Sequence, residues 1–230
     1  MFGNPQSSSL DIRFALFGIP VAITPFFWLI GCILAYNFAY TDNRLDALAF
    51  LASILAILLS ILTHEFGHAL VIRYVFGASP VVVLHGLGGV TIHDRPYYYR
   101  TPQRLGRIFI SFAGPMAGFL LAAICCFPLL AGLISPETYL SQFLSVMVYI
   151  GIFWGIFNLM PVYPLDGGQI FREVSLAVSP RYGLQFSAGV SAVVAILLAL
   201  LFFRLGSIFI PFLFGFLAYQ SIQTLQSRRP

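Results

Sequence analysis

The chain has 230 residues, 59% hydrophobic and 9% charged, against about a quarter charged in ordinary soluble domains. That composition excludes a water-soluble globular fold: uncharged apolar runs long enough to cross about 30 Å of hydrocarbon recur along the whole length, and no polar half is left for a separate soluble domain. The formal charge of +4 comes from 12 arginines with no lysine, without the interleaved aromatic and basic residues of a nucleic-acid surface, so nucleic acid is not an expected partner.

The opening residues, MFGNPQSSSLDIR, lack a basic region followed by a short apolar stretch and a small-residue cleavage site, so no removable signal peptide is expected. Ile12–Thr24 (IRFALFGIPVAIT) carries Gly18 and Pro20 in an apolar context and predicts short strands joined by a turn. Spans are predicted near Pro25–Tyr40 and Leu45–Ile72. Val81–His93 (VVVLHGLGGVTIH) sets β-branched runs around Gly86, Gly88 and Gly89 and predicts a second strand pair. Four more spans follow near Ile108–Ile134, Thr138–Met160, Leu184–Phe203 and Leu205–Leu225, with turns at Gly167–Gly168 and Ser179–Pro180. The expected fold class is an all-α polytopic membrane protein, one domain over residues 1–230, with about six transmembrane helices and short membrane-associated β-strands. Strand backbone at membrane depth is tolerated only where protein covers it or a wet cavity borders it, and its edge can receive an extended segment.

Arginine placement orients the spans. Arg13, Arg73, Arg95, Arg100, Arg104, Arg107, Arg172, Arg181, Arg228 and Arg229 fall on one side and only Arg44 and Arg204 on the other, which predicts cytoplasmic N- and C-termini. Cys32, Cys125 and Cys126 sit inside apolar runs without redox or metal spacing and read as buried bystanders. Tyr97, Tyr98 and Tyr99 read as an aromatic belt at the headgroups.

The stretch SILTHEFGHALVIRY, residues 60–74, puts three polar groups into this apolar setting. In a helix His64 and His68 lie one turn apart on one face with Glu65 on its flank. Two imidazoles can then hold one zinc ion while a carboxylate reaches a water on it, the H-E-x-x-H arrangement of zinc proteases; the alternative is a pair of hydrogen-bonded core histidines. Arg73 follows nine residues later, about 13 Å along the helix, so a metal here would lie within the membrane nearer the cytoplasm. A catalytic zinc usually takes three protein ligands. Among the other carboxylates Asp42, Asp46 and Glu137 belong to the outer side, whereas Asp166 ends the inward fourth span in NLMPVYPLDGG. Pro161 and Pro164 should unwind that end and let Asp166 reach sideways; the alternative is a helix cap before QIFREV. His85 and His93 read as interfacial rather than as part of the site.

HEFGH at 64–68 on a membrane helix, with Asn158-x-x-Pro161-x-x-x-x-Asp166-Gly167 on a later one, resembles the site-2 protease family of intramembrane zinc metalloproteases. GIPVAITPFFWL resembles the family's leading strand into its first helix, and SFAGPMAGF its Ala-Gly-Pro motif; many members have Asn where this chain has Gly118, so that position's role is not carried over. No stretch resembles an appended PDZ or nucleotide-sensing domain, and the likeness is to the minimal core type. The resemblance implies one zinc ion per chain held by His64, His68 and Asp166, with Glu65 as general base. It implies an endopeptidase cutting membrane-anchored proteins in or near their transmembrane segments. Asn158 is either a donor to the substrate backbone or its oxyanion, or an interhelical hydrogen bond. Expected partners are membrane-anchored substrates and the bilayer, with a regulator and an oligomeric state unspecified, and a bacterial or archaeal plasma membrane is the expected location. Competing readings are a prenyl-protein type of zinc protease, for which Glu173 is the only downstream ligand available, and an ion or proton transporter using the same His and carboxylate cluster.

Overall fold

Proline and aspartate set where the first helices begin, and glycines set where the strands turn. In the computed structural model, which describes residues 9–41, 43–93, 103–207 and 209–226, β1 (Ile12–Leu16) and β2 (Ile19–Ile23) form a hairpin turned at Phe17–Gly18. α1 (Pro25–Ala39) starts on Pro25, whose missing amide costs nothing in the first turn. A two-residue hairpin, β3 (Tyr40–Thr41) and β4 (Arg44–Leu45), leads to α2 (Ala47–Leu70), which continues as a π-helical turn over Val71–Val75. β5 (Pro80–His85) and β6 (Gly88–His93) make the second predicted hairpin. α3 (Arg104–Leu130), α4 (Tyr139–Asn158), α5 (Asp166–Val178), α6 (Gly183–Arg204) and α7 (Phe209–Gln226) complete the order. The residues behind the headgroup-belt expectation, Tyr97 to Tyr99, and Asp42, Asp94, Arg95, Arg100, Arg228 and Arg229 lie outside the described residues.

Among the described residues, four helices are long and apolar enough to cross a membrane, Ala47–Val75, Arg104–Leu130, Tyr139–Asn158 and Gly183–Arg204, with Pro25–Ala39 apolar but shorter. Leu51, Leu55, Leu120, Ile124 and Phe127 are exposed on their outer faces, as helices covered by lipid require.

The chain divides into two compact units, Met1–Thr101 with Ala113–Gly155, and Pro102–Phe112 with Ile156–Pro230. In the first, the sheet runs β1-β2-β5-β6, with β2 and β5 parallel in the register Val21↔Val82 and Ile23↔Leu84 and the two hairpins antiparallel. These central strands are buried with Phe27, Ile57 and Phe66 in one apolar cluster, so β6 is left as an outer strand beside α2. In the second unit, α6 and α7 pack around Phe214, with Val162, Ala195 and Leu217 in the same cluster.

Candidate metal centre

α2 is fixed at its start by Asp46, whose carboxylate accepts from the Leu48 and Ala49 amides at 2.9 and 3.0 Å. The Ala49 bond, then the Tyr139 hydroxyl and the Leu48 amide, hold that carboxyl below its usual range. About five turns later come His64, Glu65 and His68, with only 2%, 4% and 7% of their surfaces exposed. Polar groups this deep need partners. The two imidazoles provide one: His64 Nε2 and His68 Nε2 converge to 3.3 Å. Nitrogens 3.3 Å apart, each bonded to one zinc at about 2.0–2.1 Å, would subtend about 107°, close to the tetrahedral angle zinc prefers. The pair therefore fits the metal that the sequence motif implies.

Glu65 points to β6. The Thr91 hydroxyl lies 2.8 Å from Glu65 Oε2, to which it donates, and 3.1 Å from the Glu65 carbonyl, and a Cβ at Gly89 would overlap the Glu65 carboxylate. On the other flank, α3 comes close to α2 because both carry glycine there. A Cβ at Gly67 would strike the Ala113 carbonyl, and one at Gly114 would strike the His68 ring. Small residues at helix contacts in membranes allow such approach, which gives the Ala113-Gly114-Pro115 motif a physical role. A Cβ at Gly118 would stand 3.4 Å from the Gly151 carbonyl and 4.0 Å from His64 Nδ1, so that position also borders the first imidazole.

In the second unit, Asn158 is the last residue of α4, and residues 159–165 are non-helical up to Asp166, as Pro161 and Pro164 predict. The Tyr163 amide donates to Ser191 Oγ at 2.9 Å, Ser191 bonds Ser221 Oγ at 2.8 Å, and Ser221 donates to the Leu217 carbonyl at 3.0 Å. Because the Ser221 proton is committed to Leu217, the Ser191 hydroxyl is the donor between the two serines. This chain ties the unwound segment to α6 and α7. Asp166 itself is the first residue of α5 and only 7% exposed. Leu165 holds the cap position of α5 and makes no side-chain cap bond, and Asp166 follows it as the acidic residue of the first turn. Gly167 and Gly168 are needed because a Cβ on either would overlap the Leu159 or Val162 backbone.

Glu173 faces elsewhere. It accepts from Arg107 Nε and a second Arg107 nitrogen at 2.8 and 2.7 Å, and those bonds, with the charges of Arg107, Arg172 and Arg104, hold its carboxyl below the usual range. Arg104 donates to the Leu176 carbonyl at 2.7 Å, so two arginines of α3 anchor α5. His85 closes a turn, its Nδ1 accepting the Leu87 amide at 3.2 Å, and burial keeps it below the usual imidazole range. His64 and His68 in the first unit and Asp166 in the second are all buried side chains of types that ligate metal ions. The sequence missed Thr91 and Gly89; the only signal was their place in a strand beside the second span.

Peptidase family M50 matches residues 133–202, the stretch holding Asn158 and Asp166. A zinc metalloprotease of Methanocaldococcus jannaschii is 25% identical over 193 residues, 84% of this chain and 52% of its own length, an alignment long enough to take in both HEFGH and Asp166. A solved site-2 protease from the same organism covers 94% of this chain and 95% of its own, with a TM-score of 0.62 at 23% identity, a likeness of fold. In fold the chain resembles that site-2 protease. Rip3 of Mycobacterium tuberculosis, which also carries a zinc-metalloprotease name, is 33% identical over 138 residues, 59% of this chain and 33% of its own. The chain spans about half or less of the length of these two curated relatives. With four helices fit to cross a bilayer, it is an integral membrane protein.

Proposed function

We propose that this chain is an intramembrane zinc endopeptidase that hydrolyses peptide bonds in or near the transmembrane segments of membrane-anchored proteins, the whole chain acting as one proteolytic domain. The observation that carries it is the convergence of His64 Nε2 and His68 Nε2 to 3.3 Å on the buried face of a helix that also presents Glu65. His64, His68 and Asp166 would hold the ion, the aspartate offsetting part of its charge where low dielectric makes that matter most. Bound there, zinc would lower the pKa of a coordinated water toward neutrality. Glu65 accepts the proton as the water attacks the scissile carbonyl and returns it to the leaving amine, so that one carboxylate serves as base and then acid. Asn158, at the end of α4, offers an amide N–H to the substrate backbone or to the carbonyl oxygen as it gains charge. The outer strand β6 offers main-chain groups that can hold the substrate extended; this is needed because a membrane helix otherwise keeps its peptide groups internally bonded.

The same reading gives six membrane helices with both termini cytoplasmic in a bacterial or archaeal plasma membrane. The prenyl-protein alternative is weakened by the commitment of Glu173 to Arg107. The deciding experiment compares purified parent and Glu65→Gln on a synthetic transmembrane peptide, with and without chelator. Chelation should abolish cleavage by the parent, and Glu65→Gln should keep its zinc while cleaving about a hundredfold or more slower. Cleavage insensitive to both would overturn the proposal.

A further inference from the structure

A general base one residue from a metal ligand must be kept at a fixed place. For Glu65 a strand 26 residues away contributes support: the Thr91 hydroxyl reaches Glu65 Oε2 at 2.8 Å and the Glu65 carbonyl at 3.1 Å. A hydroxyl has one proton, and the shorter contact to an ionised carboxylate is the stronger. Both acceptors belong to one residue, so this hydroxyl references the side chain to its own backbone and limits rotation about the bonds between them. Residues 89 and 91 share a face of β6, and the missing Cβ at Gly89 leaves the space in which the carboxylate lies. Threonine also suits the place, since its β-branch restricts χ1 and aims the hydroxyl.

We propose that β6 carries a cradle for the proton acceptor, with Gly89 supplying the room and Thr91 acting as the positioning residue that anchors the Glu65 carboxylate. The proposal rests on the reading of Glu65 as that acceptor. It also gives β6 a second task beside its edge, because the strand that can receive an extended substrate is the one that aligns the base.

The test uses the full chain in detergent, as parent, Thr91→Val, Thr91→Ser and Glu65→Gln. Thr91→Val keeps the shape and removes the donor; kcat should fall about ten- to a hundredfold through misplacement of the base, with KM and zinc content unchanged, and Thr91→Ser should recover most of the loss. A second readout needs no turnover. The chain has three glutamates, Glu65, Glu137 and Glu173, so with carbon-13-labelled glutamate carboxyls the Glu65 infrared band is the one missing from Glu65→Gln. It should shift in Thr91→Val and return in Thr91→Ser. If the parent cleaves and Glu65→Gln does not, yet Thr91→Val turns over like the parent, the cradle is refuted while the protease reading stands. If Glu65→Gln cleaves normally, the protease reading fails instead, and the infrared band alone then decides the cradle: a band unmoved in Thr91→Val refutes it.

Discussion

At Gly114 a single added methyl group would meet the His68 ring, and the backbone of α3 is too closely packed on α2 at Gly67 and Ala113 to move aside. Gly114→Ala should therefore turn His68 away from His64 and weaken zinc binding by about ten- to a hundredfold, the usual loss when a ligand's support is removed; competitive titration with a chromogenic chelator would measure it, and parent-like affinity would show that the two helices can part. His64, Glu65 and His68 were legible in the sequence because their relation is local, a helical spacing of four with a carboxylate on its flank. Thr91 was not, since its partner is fixed by how a strand packs on a helix and no periodicity carries that information. Gly118 was visible only as a departure from the family pattern, and the structure gives it a place beside His64 and Gly151.

Between α4 and α5 the chain gives up helix for seven residues, 159–165, and is held there by hydroxyls of α6 and α7. Ser191→Ala would leave the Tyr163 amide without its acceptor in a partly buried setting, at a cost of about 1 kcal/mol. Faster hydrogen exchange at Tyr163 and a lower midpoint in chemical denaturation are the expected results; exchange as slow as in the parent would mean that the prolines alone hold the segment. The unwinding was legible from Pro161 and Pro164, and the two strand pairs from their glycines and β-branched runs. The hydroxyl chain was not, because Ser191 and Ser221 lie in spans whose composition marks them only as apolar. The short β3–β4 hairpin and the π-helical turn after α2 also escaped, being smaller than any pattern a sequence window resolves.

For the molecule as a whole, membrane character follows from composition alone, and the family from two motifs roughly a hundred residues apart. Orientation rests on the ten arginines against two; reporters fused at the C-terminus and near Arg100 should be cytoplasmic, and one at Glu137 external. An external signal near Arg100 would invert the face on which the metal lies. The central claim is that His64, His68 and Asp166 together bind zinc, and equilibrium zinc titration of detergent-purified Asp166→Ala beside Glu173→Ala tests it most directly. Asp166→Ala should lose more than about a hundredfold in affinity, as befits a ligand rather than its support, while Glu173→Ala, losing only an ion pair to Arg107, should bind zinc like the parent. If Asp166→Ala binds like the parent and Glu173→Ala does not, the ligand set is two histidines and a glutamate, and the account is contradicted.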